Sequence, residues 1–500
     1  MNLSAQDTVV GDELVHAQRL LVRDAAWATV CGALFGGVVL AGYAVQVGAG
    51  PFEIGLLAAI PYLAQALQLP ATVWVDRHGS RKRMGVRMLG AARVIILVLA
   101  LLPLWPTNTA SVPLLLLGKF AICAFSAAAG CAVNSWIHQL LSGQPLGQFF
   151  SRRLFAGTVL GCVFTLGVGW LVEHPPQGEV RLAYALSFAG SGLAGLVSTY
   201  YLARTPEPRM GASGPSVRLT TKLAAPFKDT GFRHLLVMLA SWNFTSNFAA
   251  PFLTVYLLQQ LGYGMGTVTM LWVVNQVANA LTLYAWGRVS DRLSNKAVLS
   301  VALPVFFACT VGLVFARSGA PYGLQMSILV VAHVMMGIVG GGIGLATGNL
   351  GLKLAPPTQS TSYLAVVGLV SSLAGGVAPL VAGAVAHALQ SSEFSLVVRW
   401  VANTATRELA VMSFAHYEFL FAISALLGLH VMHALSRIRE GNEVSERQVV
   451  QELLLEARQT VDQISTAGGL LSSVFAFGRL TERRVWFRRR ADAPRDGLPP

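Results

Sequence analysis

Runs of about 20 apolar residues, bounded by short polar segments, recur along most of this chain and limit its folding more than any other feature. At 1.5 Å per residue, one such helix covers a hydrocarbon core of about 30 Å. Backbone groups in lipid must be hydrogen-bonded within the segment, so these runs are predicted to be helices. Only 12% of the residues are charged, against roughly 25% in soluble domains. The sequence therefore predicts an all-α integral membrane protein.

Twelve membrane spans can be placed by apolar composition. They lie at 25–48, 55–75, 88–106, 112–137, 153–173, 181–203, 233–259, 266–287, 297–317, 323–347, 361–388 and 413–435. The widest polar break is rich in Pro, Gly and Ser and is predicted to be a linker. The predicted units are an N-terminal segment 1–24, a six-helix half 25–203, the linker 204–232, a second six-helix half 233–435 and a polar tail 436–500.

The loops alternate in their content of basic residues. The short basic loops contain Arg77, Arg81, Lys82, Arg83 and Arg87 after span 2, Arg152 and Arg153 after span 4, Arg288, Arg292 and Lys296 after span 8, and Lys353 after span 10. Lys and Arg gather in cytoplasmic loops, so both termini are predicted to be cytoplasmic, in a plasma membrane of the bacterial inner-membrane type. The formal net charge of +13 is then explained by topology, and nucleic acid is not an expected partner.

An acidic and basic signature occurs twice, at matching loops. Asp76-Arg77-His78-Gly79-Ser80-Arg81 lies between spans 2 and 3, and Gly287-Arg288-Val289-Ser290-Asp291-Arg292 lies between spans 8 and 9. The two aspartates are 215 positions apart (291 minus 76), which is about half of the membrane region. Repeats of this kind are typical of internally duplicated transporters.

These residues resemble the G-x-x-x-D-R-x-G-R-K loop of the major facilitator superfamily. The first copy has Thr72 where the leading Gly is expected, and the second has Ser294 in place of the later Gly. The resemblance covers the helical region 25–435 and implies two pseudo-symmetric six-helix halves that transport a solute by alternating access. It also implies a conformational latch formed by Asp76, Arg77, Gly79, Arg81, Gly287, Asp291 and Arg292. The alternative is that these charges only set the topology.

Two pairs of amides lie at membrane depth. Asn243 and Asn247 are midway through span 7, and Asn275 and Asn279 are midway through span 8. The members of each pair are four residues apart and share a helix face. Amides are costly in lipid, so these faces should turn toward protein or a water-filled cavity. They are predicted either to bind substrate near the midplane or to join helices by hydrogen bonds.

Lys119 and His333 are the ionisable groups deepest in spans 4 and 10, and Gln65 is a further polar candidate in span 2. Alternatively, Lys119 reaches an interface and His333 only packs. The segment around Lys119 resembles a family motif associated with proton coupling, with Lys in place of its Arg, so a proton is a candidate coupling ion. Mostly apolar candidates without paired carboxylates predict a small neutral or amphipathic organic solute.

Enzymatic and metal-binding signatures are not found in the sequence. It has no cluster of His, Cys and carboxylate residues and no phosphate-binding loop, and its five cysteines lie in apolar stretches. We therefore expect no catalytic residue, metal or cofactor, and a monomer whose surroundings are the lipid bilayer. The alternative function is a membrane sensor that binds a solute and signals through its tail, where Val450, Leu454 and Ala457 begin an amphipathic pattern.

Overall fold

The first half of the computed structural model contains spans 1 to 6. The structure describes residues 9, 11–68, 71, 80–106, 109–142, 146–209, 219–316, 321–356, 359–402, 405–440 and 448–453. Span 1 is formed by the helices Asp12–Phe35 and Gly37–Gln46, span 2 by Pro51–Ala64 and the 3-10 turn Gln65–Leu67, span 3 by Arg81–Leu99, span 4 by Ser111–Leu140, span 5 by Leu146–Glu173 and span 6 by Val180–Arg204.

The second half follows a short linker helix, Leu219–Lys228. Spans 7 to 12 are the helices Thr230–Val255, Met265–Arg292, Asn295–Val314, Tyr322–Leu354, Ser360–Ala388 and Glu418–Ser436. Span 7 ends in the π-helical turn Tyr256–Gln260. The helices are consistent with the twelve predicted spans, and the prediction of a helical membrane fold is confirmed.

The spans differ in apolar content. Within the described ranges, nine helices are long and apolar enough to cross a membrane. The other three predicted spans lie on the shorter apolar helix Pro51–Leu67 and on Thr230–Val255 and Met265–Arg292. The last two carry the paired asparagines, which lower their apolar content. Polar residues therefore concentrate on spans 7 and 8.

Span 3 begins seven residues earlier than predicted, at Arg81 rather than residue 88. Ser80 is its N-cap, and the Ser80 hydroxyl accepts a hydrogen bond from the backbone N–H of Arg83 at 3.3 Å. Such a cap satisfies one of the free N–H groups in the first turn. The helix can therefore start inside the basic loop, where hydropathy alone shows no membrane segment.

A β-hairpin joins spans 11 and 12 and departs from the all-α prediction, and its second strand includes the first three residues of predicted span 12. Strand Glu393–Ala402 pairs antiparallel with Ala405–Ala415, with a bulge between Leu396 and Val397. The run EFSLVVRWVA is rich in β-branched and aromatic residues, which favour strands. This pattern is hard to recognise in the sequence because of the length of the run and because the run lies between two strongly apolar membrane helices.

The two halves repeat one packing pattern. In the first half span 1 packs against spans 5 and 6, span 3 against spans 4 and 6, and span 2 against span 4. In the second half span 7 packs against spans 11 and 12, span 9 against spans 10 and 12, and span 8 against span 10. Adding six to each span number converts the first set into the second. The fold is therefore internally duplicated, as the repeated signature predicts.

The halves meet where span 2 packs against span 11 and span 5 against span 8. A Cβ atom at Gly55 would lie 2.2 Å from the carbonyl oxygen of Pro379, and one at Gly383 would lie 2.7 Å from that of Pro51. We call this contact between spans 2 and 11 the glycine seam. It lies toward the end of the bundle that carries the β-hairpin, the hairpin end. The opposite end carries the basic loops, including the loop that contains Ser80, and we call it the basic end.

Candidate functional site

A cavity of about 320 Å³ lies between the two halves, bordered by residues of spans 1, 2, 4, 7, 8 and 10. Its described lining is largely aliphatic. The polar and aromatic lining residues are Tyr62, Lys119, Asn247, Thr254, Trp272 and His333. Small-molecule sites commonly have volumes of about 300–1,000 Å³ and a few fixed polar groups. The cavity is therefore large enough for a small organic molecule.

Span 1 is interrupted beside this cavity. Gly36 is extended, with φ −123° and ψ 176°, and Gly37 has a φ of +48°, which glycine adopts at little cost. The helix Gly37–Gln46 then starts without a side-chain cap, and Gly37 and Val38 line the cavity. Broken membrane helices of this kind present backbone dipoles to a bound ligand.

Lys119 faces the cavity from span 4. Its Nζ atom lies 5.7 Å from the centre of the Phe35 ring, the residue that ends the first segment of span 1. A cation over an aromatic face is attracted by the negative charge of the ring face. The predicted candidate is therefore placed next to the break in span 1.

The two asparagines of span 7 are placed differently. Asn247 lines the cavity, donates from Nδ2 to the carbonyl of Asn243 at 2.8 Å and interacts with Tyr62. Asn243 donates from Nδ2 to the carbonyl of Leu239 at 2.8 Å and is not among the residues lining the cavity. Of this predicted pair, Asn247 is the member placed to meet a solute.

The asparagines of span 8 contact span 10. Asn275 donates from Nδ2 to the carbonyl of His333 at 3.0 Å, the interhelical bond that the alternative interpretation predicts. The ring of His333 lines the cavity, and its Nδ1 lies 2.7 Å from the carbonyl oxygen of Leu329. Asn279 borders a separate, more open recess with Gly340 and neighbouring residues. Gln65 is exposed and pairs with Gln68.

The described members of the predicted latch lie at the basic end. Asp76, Arg77 and Gly79 lie outside the described residues. Asp291 is exposed, and Arg292 forms an ion pair with Glu452 of the tail. A Cβ at Gly287 would meet its nearest neighbour, Leu345, at 3.9 Å, an ordinary contact distance. Arg81, in contrast, is 4% exposed and is held by several partners.

Glu207 is a residue of this region that the sequence did not single out. Its side chain, 1% exposed, accepts hydrogen bonds from the backbone N–H groups of Arg81 at 2.8 Å and Lys82 at 3.2 Å. It also accepts from the Ser80 hydroxyl at 3.1 Å, and the Arg81 Nε lies 3.6 Å away. The carboxylate thus neutralises the N-terminus of span 3, where free N–H groups and the helix dipole favour an anion.

Glu440 does the same for span 9. It accepts hydrogen bonds from the backbone N–H groups of Asn295 at 3.2 Å and Lys296 at 2.7 Å, and from the Lys353 Nζ at 3.0 Å. Burial acts to raise the pKa of Glu440, but these bonds outweigh burial and hold the pKa below its usual value. Both glutamates follow the last helix of their half, three residues after Arg204 and four after Ser436, an offset that could have revealed them.

A further buried carboxylate, Asp24, lies in the first helix. It accepts a hydrogen bond from the Ser198 hydroxyl at 2.7 Å, and Arg153 lies 3.8 Å away. Arg93 packs against Gly195 of span 6 and adds positive charge nearby. The partners come from spans 3, 5 and 6, so this cluster ties the first half together away from the cavity. Sequence spacing alone does not bring these residues together.

Comparison with known proteins agrees with this architecture. Residues 25–379 match the family model described as Major Facilitator Superfamily. The chain is 33% identical over 100 residues to an "MFS-type transporter" of Aspergillus terreus (strain NIH 2624 / FGSC A1156), a match that spans 20% of this chain and 17% of that relative's length.

Solved structures share the fold at low sequence identity. The nucleoside transporter NupG matches with a TM-score of 0.59 and 12% identity, over 85% of this chain and 98% of that one. A bacterial homologue of the human lysosomal transporter Spinster, in an inward-facing and unoccupied conformation, matches with a TM-score of 0.56 and 15% identity, over 90% and 98% of the two chains.

Proposed function

Because the chain belongs to the Major Facilitator Superfamily, we propose that it is a secondary transporter that moves a small organic solute by alternating access. The observation that carries this proposal is the cavity between the halves, which the glycine seam borders toward the hairpin end. Tyr62 and Pro61 of span 2 line the cavity, and Tyr62 also lies against Gly375 of span 11. Rocking the halves apart at the seam would therefore open the site toward the hairpin end.

A second contact between the halves supports this mechanism. Glu173 at the end of span 5 accepts a hydrogen bond from the backbone N–H of Gly266 at the start of span 8, at 2.8 Å. Nearby, a Cβ at Gly169 would lie 2.0 Å from the Thr269 hydroxyl. Spans 5 and 8 are the pseudo-symmetric counterparts of spans 11 and 2. Opening at the hairpin end must break both contacts together, as rigid-body rocking requires.

The proposal is tested with solute flux in proteoliposomes and the variant Gly55→Ala. An added methyl group cannot fit 2.2 Å from a carbonyl oxygen, so the closed hairpin end should be disfavoured and the flux should fall at least tenfold. Gly90→Ala is the matched control, because a Cβ at Gly90 meets nothing within 4 Å. Equal flux in both variants would contradict closure at the seam. Binding without any flux in the unmodified protein would favour a sensor.

We further propose that the basic end is cytoplasmic, in a bacterial-type inner membrane, because basic loops are retained on that side. Single cysteines at Ser142 and Ser391 test the orientation, since Ser142 lies at the basic end and Ser391 beside the hairpin, and both are exposed. A membrane-impermeant maleimide added outside intact cells should label Ser391→Cys and spare Ser142→Cys. The reverse pattern would overturn the orientation.

The amides of span 7 supply a matched pair of variants. We propose that Asn247 contacts the solute and that Asn243 does not, since of the two only Asn247 lines the cavity. Asn247→Ala should weaken solute binding by about 1–3 kcal/mol, the cost of an unsatisfied buried partner. Asn243→Ala should leave affinity unchanged, because the amide of Asn243 bonds a carbonyl of its own helix. An affinity loss confined to Asn243→Ala would reverse the assignment.

The latch remains part of the proposal, with Asp291 as its testable member among the described residues. Asp291 is exposed in the present conformation, so its partner contact would have to form in the alternate state. Asp291→Asn should then lower flux and leave solute affinity nearly intact, because the change acts on the equilibrium between states. Unchanged flux would reduce this aspartate to a topology signal.

A further inference from the structure

The charge of the cavity is unbalanced. Among its described lining residues, Lys119 is the only Lys or Arg, and none is Asp or Glu. The ion pairs found in the described part of the chain do not include Lys119, and its favourable neighbour is the Phe35 ring. A cation at membrane depth without a counter-charge is costly and usually marks a ligand or ion site.

A second feature adds positive potential in the same corner. The ten-residue helix Gly37–Gln46 starts at the cavity, and no side chain caps its first N–H groups. A helix N-terminus carries roughly half a positive charge and free donors, which together form an anion site. Phe35, whose ring centre lies 5.7 Å from the Lys119 Nζ, is two residues before Gly37. The Lys119 ammonium and the N-terminus of this helix therefore both border the cavity.

The rest of the cavity suits an apolar body. Leu57, Leu257 and Trp272 line it together with other aliphatic residues, while Asn247 and Thr254 provide hydrogen-bonding groups. The single cation, Lys119, can neutralise one negative charge on the solute. The cavity volume of about 320 Å³ excludes a large solute.

Resting on the proposed transport function, we propose that the solute is a small monocarboxylate with an apolar or aromatic body. Its carboxylate lies between Lys119 and the N-terminus of Gly37–Gln46, and its body lies toward Trp272. This narrows the neutral or amphipathic solute predicted from the sequence to the anionic members of the amphipathic class.

Matched acids and amides of equal size test the charge requirement. Benzoate and benzamide, 1-naphthoate and 1-naphthamide, and hexanoate and hexanamide are added at pH 7.5 to the purified full-length protein, and thermal unfolding is followed. A ligand that binds the folded state raises the unfolding midpoint by mass action. At least one acid should raise the midpoint while its amide does not. Stabilisation by no acid in the panel, or equally by acid and amide, would overturn the proposal.

Three variants test the role of Lys119. Lys119→Gln should weaken binding of the stabilising acid at least tenfold, and Lys119→Arg should keep it within about threefold, because Arg retains the charge. Lys228→Gln, which removes an exposed positive charge at the end of the linker helix, is the control and should change nothing. Without ligand, Lys119→Gln should unfold at the same or a higher temperature, since an uncompensated charge is removed. A lower midpoint would show a structural role and overturn the proposal.

Flux separates this inference from the transport function on which it rests. Uptake of the same acids and amides is compared in proteoliposomes and in protein-free liposomes. Acid binding that depends on Lys119 without protein-dependent uptake would retain the anion site and overturn transport. Uptake of an amide as fast as its acid, unchanged in Lys119→Gln, would retain transport and overturn the anion site.

Discussion

At the basic end, each half places a glutamate on the N-terminus of a membrane helix. The cation beside that glutamate differs between the two halves. Span 3 and span 9 each begin after a capping serine, Ser80 or Ser294. In each, a glutamate that follows the last helix of the half accepts bonds from two successive backbone N–H groups. Both glutamate side chains are 1% exposed. Each half is therefore closed by an anion placed on a helix N-terminus.

The counter-charges set the halves apart. The Arg81 side chain beside Glu207 is 5% exposed and donates to the Pro208 carbonyl at 3.0 Å and the Ser135 hydroxyl at 3.4 Å. The Lys353 side chain beside Glu440 is 54% exposed. A buried guanidinium depends on its carboxylate, whereas an exposed ammonium can return to water at little cost. The first half should consequently be the less tolerant of losing its glutamate.

The largest effect is expected from Glu207→Gln. It leaves Arg81 buried without a counter-charge, and breaking a buried pair in this way costs about 3 kcal/mol or more. Unfolding of the purified protein in mild detergent should show this loss. Adding Arg81→Met should recover part of the lost free energy, because the unpaired charge is then removed. A double variant less stable than Glu207→Gln would contradict the coupling.

A smaller loss is expected from Glu440→Gln. The backbone N–H groups of Asn295 and Lys296 lose a charged acceptor, at a cost of about 1–2 kcal/mol, but Lys353 returns to solvent. The same unfolding measurement ranks the two variants. If Glu440→Gln proves as damaging as Glu207→Gln, exposure of the counter-charge does not decide the cost.

The acid dependence of stability should come in part from Glu440. Its pKa is lowered in the folded state, so its stabilising contribution is present above the unfolded pKa of about 4.3. The contribution is lost as the pH falls from there through the lower folded pKa. Unfolding midpoints between pH 6 and pH 3 should fall less steeply in Glu440→Gln than in the unmodified protein. Parallel curves would remove Glu440 from the acid response.

The smallest effect is expected from Lys353→Met. The ammonium is half exposed, and pairs of this kind contribute about 0–1 kcal/mol. The variant should therefore unfold within about 1 kcal/mol of the unmodified protein. A loss equal to that of Glu440→Gln would show that the lysine, and not the helix N-terminus, is the main partner of the glutamate.

Sequence predicted this fold better than it predicted the site. Apolar runs and a repeated Asp76 and Asp291 signature are local or periodic, and they indicated the spans and the duplication. Asp24 acts through a partner more than 100 positions away, which no spacing rule reveals, and Glu207 could be found only by comparing its offset from the last helix of its half with that of Glu440. The sequence offers the same two interpretations for both amide pairs, substrate binding or helix joining, yet Asn247 lines the cavity while Asn275 bonds span 10. Which residues of a helix face the cavity depends on the rotation of the helix about its own axis, and packing against the neighbouring helices sets that rotation.

Where Gly55 and Gly383 meet the carbonyls of Pro379 and Pro51, the two halves touch backbone to backbone. No long side chain at these positions has to leave a socket and change rotamer when the faces part, and none has to find its rotamer again when they rejoin. The two faces of the glycine seam can thus separate and come together again in the same register without a rotamer change at these positions. The pace of each cycle would then depend on polar contacts such as that between Glu173 and Gly266.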